Sequence, residues 1–324
     1  MLSALGFSLL RRLADGELHS GEALAQANGV SRARVSQVLK DAGARGLKLE
    51  RTRGQGYRLR DAVPFLTRES IVRALGARGG LAIEVVDVID STNSELLRRA
   101  AASDVHRQVL AAEYQTAGRG RRGRAWTSVV GGSLTFSLGW RFEQGAGYLT
   151  ALPLAVGLAV VAALEAESFR GIELKWPNDV VARGRKLGGI LVEVSGDALG
   201  PSLAVIGIGL NVRLPALVQN EIERGAIDLA QASSGTPIDR NTLLARILSK
   251  STDVLEAYAD AGFAPLRAAW QRRHAFHRKA VQVLLPDGGK VRGDVTGVDA
   301  DGALVLASGG RRLRFVNGEV SLRP

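Results

Sequence analysis

The sequence predicts an α+β protein in three parts, on three observations. Residues 1–63 carry apolar positions at helical spacing, punctuated by glycine and capping residues, and end in a short two-strand pattern. Residues 64–274 mix strand-like and helical runs, the pattern of a mixed sheet with flanking helices. Residues 275–324 are short strand runs broken by Asp-Gly and Gly-Gly turns, a small all-β unit. At 324 residues the chain exceeds what one core usually serves, so more than one domain is expected.

Charge is uneven along these parts. Residues 1–63 hold 11 basic against 6 acidic side chains, and residues 272–324 hold 10 against 5. The two ends thus carry nearly all of the net +11, and the middle is close to neutral. There are no cysteines, which excludes disulfides and thiolate metal sites and suits a reducing cytoplasm. The most apolar stretch, ALPLAVGLAVVAALEA from Ala151, is shorter than the roughly 20 residues a membrane span needs. It is expected as a buried helix, with no membrane association. The first residues lack a small-residue cleavage site, and Arg11 and Arg12 follow the apolar run, so no secretion signal is expected.

In the first part, Leu5, Leu9, Leu10 and Leu13 define one helix that stops at Gly16. A second, GEALAQANG, follows His19 and Ser20, and Ser31 is a good N-cap for a third, RARVSQVLKDAG. Two short helices joined by a Gly-containing turn, with Val30 locking them, make a helix-turn-helix. Ser31, Arg32, Arg34, Gln37 and Lys40 then present a polar face suited to base edges and phosphates, while Val35, Val38 and Leu39 point inward. LKLERTRGQGYRL reads as two strands around Gly54-Gln55-Gly56, a wing whose Arg51, Arg53 and Arg58 suit a DNA backbone. A small helical interaction module with a charged surface is the plainer alternative.

In the middle part, LAIEVVDVID is a strand running into STNSELLRRAAAS. Thr92-Asn93-Ser94-Glu95 has the form of a capping box, which puts Ser91, Thr92 and Asn93 at a strand-to-helix junction. Helix capping alone explains them, and so does a cluster of hydrogen-bonding groups for a polar ligand head. VLAAEYQ is a strand reaching Gln115, after which GRGRRGRAW packs four arginines, three glycines and Trp126 into residues 118–126. Glycines let main-chain N–H groups approach a ligand, and arginine forks match phosphate and carboxylate oxygens. A solvated basic loop, an RNA- or DNA-contacting arm or a small-anion site all fit this run; its balanced surroundings favour a small anionic ligand over a long polyanion. GGSLTFSLGWRF is a strand, and IELKWPNDVVARGRKLGGILVEVSG reads as one hairpin, interrupted at Trp176-Pro177-Asn178-Asp179 near an edge or a bulge. LAVIGIGLNVRL is a further strand, with Gly207 and Gly209 leaving room for close approach and Asn211 at its end. Amphipathic helices follow from Asn241 to about His274.

STN, Gln115 before GRGRRGRAW, KWPND, GRKLGGILVE and GIGLNV occur in an order and at spacings that resemble bacterial biotin–protein ligases. With the N-terminal helix-turn-helix, the chain resembles the bifunctional class that also represses the biotin operon. Five motifs in order are far more specific than any one of them. The resemblance implies that biotin and ATP, with Mg²⁺, form biotinyl-5′-AMP, and that biotin then passes to a lysine of the biotin carboxyl carrier protein. It implies a ureido pocket from Ser91, Thr92 and Gln115, with Asn93 also binding biotin, and main-chain N–H groups around Arg119, Gly120 and Arg121 for the tail carboxylate. It implies Lys186 bridging carboxylate and α-phosphate, Arg119, Arg121 and Arg124 as supporting charge, and Trp126 stacked on adenine. Asn178 and Asn211 match nucleotide contacts. Asp179 either orients the reaction centre or helps the acceptor lysine lose its proton. No metal ligands are expected from the protein, Mg²⁺ being held by ATP phosphates and water. The resemblance also implies an SH3-like C-terminal barrel, Arg323 near the nucleotide, operator DNA as a partner, and a ligand-promoted homodimer. Two rivals stand beside it: a related-fold ligase for lipoate, and a biotin-sensing transcription factor without catalysis.

Overall fold

The computed structural model describes residues 3–44, 47–60, 64–76, 80–197, 199–222, 225–233, 238–285, 287–316 and 318–321. The first part forms α1 (Ala4–Arg12), α2 (Gly21–Ala27) and α3 (Arg32–Gly43), then a hairpin of β1 (Leu49–Thr52) and β2 (Gly56–Leu59). Each helix begins where the sequence offers a cap. Ser3, Ser20 and Ser31 accept from the third residue beyond, and Gly16 takes the left-handed conformation (φ 78°) that ends the first helical segment. Phe7, Leu10, Leu24, Val35, Leu39 and Leu59 form a core of their own, which Phe65 and Val130 extend.

The middle part adds α4 (Arg68–Leu75), β3 (Ala82–Ile89), α5 (Thr92–Ala100), β4 (Gln108–Gln115), β5 (Ser133–Phe142) and α6 (Leu152–Ala166). There follow β6 (Ile172–Lys175), β7 (Asp179–Ala182), β8 (Arg185–Gly196), β9 (Ser202–Asn211), α7 (Ala216–Glu221), α8 (Leu229–Ala232), α9 (Arg240–Ala261) and α10 (Arg267–Arg272). The strands make one seven-stranded mixed sheet in the order β3-β4-β5-β9-β8-β7-β6, in which only β3 and β4 run parallel. Two expectations are corrected here. The KWPND to LGGILVE region is two hairpins, because Trp176-Pro177-Asn178 is the turn between β6 and β7 and a second turn precedes β8. The N-cap of α5 is Ser91, one residue earlier than a Thr92–Glu95 capping box requires, and Glu95 pairs with Arg98 and Arg99 instead.

Alternation gives the sheet two unlike faces. On one side Ser133, Thr135 and Ser137 of β5 stand beside Asn211, Gly209 and Gly207 of β9, and these glycines beside Gly189 and Leu191 of β8. On the other, Leu134, Phe136, Leu138, Ile206, Ile208, Leu210 and Ile190 are buried in the core shared with α6 and α9. The helical segment 146–166 is long and apolar enough to cross a membrane, but α6 is instead enclosed in this core. The polar face is partly covered by α5.

Two buried ties hold the parts in place. Arg240 and Glu113, both almost fully enclosed, form a two-pronged ion pair at 2.9 Å. Arg240 also donates to the carbonyls of Pro64 and Ser133, and the Leu66 N–H donates to Glu113. The segment joining the first part to the sheet is thereby anchored on α9 and β4. At the other end, β10 (Ala280–Leu284), β11 (Lys290–Val298), β12 (Leu304–Ser308), β13 (Arg311–Phe315) and β14 (Glu319–Ser321) form an antiparallel sheet in the order β13-β12-β11-β10-β14. Its Val283, Val295, Leu304 and Leu306 share the core of the central sheet, and the Trp176 indole donates to the Gly302 carbonyl at 3.0 Å.

Candidate functional site

The ends of parallel strands β3 and β4 set the site. Crevices at the carboxyl ends of parallel strands are favoured ligand positions, because helix N-termini and loops converge there. Thr116 and Ala117 donate to the carbonyls of Ile89 and Asp90 at 2.8 Å, so the STN segment and the arginine loop leave the sheet side by side. Arg98 hydrogen bonds hold the Asp90 carboxyl down at about 2, which keeps it ionised beside this junction.

Ser91, Thr92 and Asn93 are buried, and only Ser91 acts as a cap. The Thr92 N–H and hydroxyl both donate to Gln115 Oε1, at 2.7 and 3.0 Å. Ser137 Oγ lies 2.7 Å from Thr92 Oγ1 and 2.5 Å from Asn93 Oδ1. Asn93 Nδ2 donates to Glu193 at 2.9 Å and faces the Leu191 carbonyl. Gly207 is required beneath it: a Cβ there would stand 2.3 Å from Asn93 Oδ1. The result is a buried set of donors and acceptors on the polar face.

The arginine loop folds back on itself. Gly120 N–H donates to the Arg124 carbonyl and Trp126 N–H to the Gly118 carbonyl, framing an antiparallel bridge between Arg119 and Ala125. Arg122 takes a left-handed conformation (φ 57°) and Gly123 another (φ 73°), which makes the tight turn. Arg119 pairs with Glu193 at 2.7 Å, and Arg121 donates to Asn178 Oδ1 at 3.4 Å. Trp126 is half-buried and lies over Gly209, where a Cβ would fall 2.5 Å from Cε2. Arg124 is exposed beside it.

Lys186 reaches this face through a bulge. Val180 pairs with Gly188 and Val181 with Lys186, so β8 carries one extra residue, the buried Leu187. Strict alternation would send Lys186 and Gly189 to opposite faces. The bulge brings them to the same one. Lys186 Nζ sits 2.6 Å from Asp179 Oδ1, and both lie against Gly189. Asn178 is fixed by exchanging hydrogen bonds with Ile190. A cavity of about 290 Å³ opens beside them, lined by Arg121, Asn178, Trp176, Ile190, Val192 and Gly302 among others.

Residues 85–211 match the biotin/lipoate A/B protein ligase family, and residues 279–323 match the biotin protein ligase C-terminal domain. The chain is 36% identical over 315 residues to the bifunctional ligase/repressor BirA of Escherichia coli, covering 97% of this chain and 96% of that one. The chain belongs to the biotin protein ligase family. It is also 38% identical over 246 residues to the biotin–[acetyl-CoA-carboxylase] ligase of Mycobacterium tuberculosis, covering 74% and 88% of the two chains. Among solved structures, the biotin protein ligase from Aquifex aeolicus in complex with biotin and ATP superposes with a TM-score of 0.63 at 29% identity, over 75% of this chain and 98% of that one.

Within this ligase-family fold, Thr92, Asn93, Gln115, Arg119, Arg121, Asn178, Asp179, Lys186 and Trp126 lie on one face or its rim. Asn211 lies at the end of β9 on that face, but it is buried and its Nδ2 donates to the Ile227 carbonyl. Ser137 and Glu193 were missed by sequence reading. Their only signals were the alternating SLTFS pattern and a lone carboxylate late in GGILVE. Arg323 falls outside the described residues. On α3, Arg32, Arg34, Gln37 and Lys40 are exposed while Val35, Val38 and Leu39 are buried, and Arg53 is exposed at the hairpin tip. Arg32 lies 3.5 Å from Glu22 and Gln37 donates to Asp41 at 2.8 Å.

Proposed function

We propose that the chain is an ATP-dependent biotin–protein ligase that forms biotinyl-5′-AMP and transfers biotin to a lysine of a biotin carboxyl carrier protein, and that it also represses transcription by binding operator DNA. The observation that carries the ligase reading is the adjacency of a buried hydrogen-bonding cluster to a lysine and an arginine loop on one sheet face. The ureido ring of biotin requires both donors and acceptors, and Thr92, Asn93, Gln115 and Ser137 supply them. Lipoate has no such ring, which sets the lipoate reading aside.

In the first step the biotin carboxylate attacks the α-phosphate of ATP and pyrophosphate leaves. Both reactants are anions, so positive charge must stand where they meet. Lys186 holds the two sets of oxygens together, with Arg121 and Arg124 offsetting phosphate charge. The 2.6 Å pair with Asp179 supports the orienting role for that carboxylate. Trp126 stacks on adenine, with Asn178 and Asn211 as nucleotide contacts. In the second step the acceptor lysine amine attacks the acyl carbon and AMP leaves. Among the described residues no group of three or more His, Asp or Glu side chains is placed to hold a metal, and Mg²⁺ enters on the ATP phosphates.

The DNA-binding reading takes α1–α3 and the β1–β2 hairpin as a winged helix-turn-helix over residues 1–63. Residues 64–274 then form the catalytic domain and 275–324 an SH3-like domain. A helix-turn-helix protein reads a two-fold site with two copies, so adenylate binding is expected to promote a homodimer. The lack of cysteine supports a cytoplasmic setting. Pyrophosphate release from ATP, measured with biotin, lipoate and octanoate, tests the reaction: release with biotin alone is expected. Release with lipoate but not biotin overturns it. Sedimentation with and without the adenylate tests the dimer, and an unchanged association constant removes the switch.

A further inference from the structure

We propose that Glu193 is a positioning residue that pins the arginine loop to the floor of the ureido pocket. It rests on the ligase reading above and gives a role to a residue that closes the GRKLGGILVE motif but was assigned none there. The Glu193 carboxylate accepts from two segments that leave the sheet side by side, and ties them together again beyond their shared strand ends. Asn93 Nδ2, at the start of α5, donates to Oε2 at 2.9 Å. Arg119 Nη2, in the loop, donates to Oε1 at 3.0 Å and Oε2 at 2.7 Å. Asn93 in turn accepts from Ser137, which reaches Thr92 and so Gln115. One carboxylate therefore closes a chain of contacts from the ureido cluster to the loop.

The loop needs such an anchor. Four arginines in nine residues repel one another, and three glycines leave its backbone many alternatives. Glu193 lies on β8, which is held by β9 in a continuous ladder, so the anchor point is rigid. It stands on the same face as Gly189 and Leu191, by alternation, with Asp179 paired to Gly189. The bridge of Arg119 with Ala125 is a non-hydrogen-bonded pair, framed by the bonds of Gly120 and Trp126. The Arg119 main-chain N–H therefore points away from Ala125, while its side chain is committed to Glu193. The side chain anchors the loop, and the main chain is presented to the carboxylate tail.

Glu193→Gln keeps an acceptor for Asn93 and removes the charge that holds Arg119; Glu193→Ala removes both. Trypsin cuts after Arg119, Arg121, Arg122 and Arg124, so loop exposure can be read without any ligand from peptides that end there. Both variants should be cut at these positions several-fold faster than the parent, with cuts elsewhere unchanged. The biotin KM should rise about tenfold, as for loss of one charge-assisted hydrogen bond, with the ATP KM nearly unchanged. Arg119→Gln should give the same biotin-selective loss, and the double variant with Glu193→Gln no more than either alone. Unchanged loop cleavage, equal rises in both KM values, or additive losses would overturn the proposal. Failure of the parent protein to release pyrophosphate with biotin would instead overturn the ligase reading, while the ligand-free cleavage still reports the Glu193–Arg119 contact.

Discussion

Lys186 shows how much one side chain depends on its setting. Its charge was visible in the GRKLGG motif, but its face is decided by the extra residue in β8. In the proposed mechanism Lys186→Met removes a contact that strengthens as charge moves from carboxylate to phosphate, so its effect belongs mainly in the rate. Adenylate formation should fall by at least a hundredfold, with biotin binding weakened but retained; near-normal pyrophosphate release would refute the assignment. Trp126→Ala is expected to weaken ATP binding by roughly 1–3 kcal/mol, if stacking in single-stranded nucleic-acid complexes is a fair guide, and to leave biotin nearly alone. Calorimetric titration with each ligand decides it. A greater loss for biotin would make Trp126 a packing residue over Gly209.

Elements add constraints that no single residue carries. The ion pair of Glu113 on β4 and Arg240 on α9 is enclosed, and every prong has a partner. Breaking one side leaves a buried charge without its counterpart, which typically costs about 3–5 kcal/mol. Arg240→Met should lower the unfolding free energy measured in urea by that amount, while Glu113→Gln/Arg240→Met together should recover part of it. A double variant no better than the worse single would show that the pair is not coupled. The helices and strands themselves were largely legible beforehand. Ser31, Gly16 and the strand alternation act within a few residues, and local physics repeats wherever those residues occur. The capping box at Thr92 misled because Ser91 competes for the same role, and burial of Thr92 and Asn93 against Ser137 favours the earlier start.

At the scale of the whole molecule, the C-terminal sheet and the central sheet share one core, and His274 lies at their junction. It is buried against Trp270 and Phe276, and burial, aided by His277 and Lys279, pushes its pKa down to about 3. The folded protein keeps it neutral, whereas the unfolded chain protonates near 6.5. Below 6.5 the unfolded state therefore binds a proton that the folded state lacks, and stability falls as pH drops from 6.5 towards 3. The slope should approach about 1.4 kcal/mol per pH unit from this group. Denaturant unfolding between pH 7 and 5 measures it before most carboxylates titrate. His274→Phe should flatten the slope there, with the also-lowered His106 left as a residual; an unaltered slope would exclude His274 as its source.

The sequence by itself determined the three-part order, the caps and turns, the two-faced strands and the inventory of charged and polar groups for the site. These are local properties, set by side-chain entropy, backbone freedom and the periods of helix and strand. The tertiary structure decided which groups meet. Ser137 reaches Thr92 and Asn93 across 45 and 44 residues, Asn93 reaches Glu193 across 100, and Glu113 reaches Arg240 across 127. Such pairings depend on strand order, on register and on a single bulge, and a shift of one residue sends a side chain to the opposite face. That is why the face taken by Lys186, the missed Ser137 and the contacts of Glu193 become legible only once β5, β9 and β8 lie side by side.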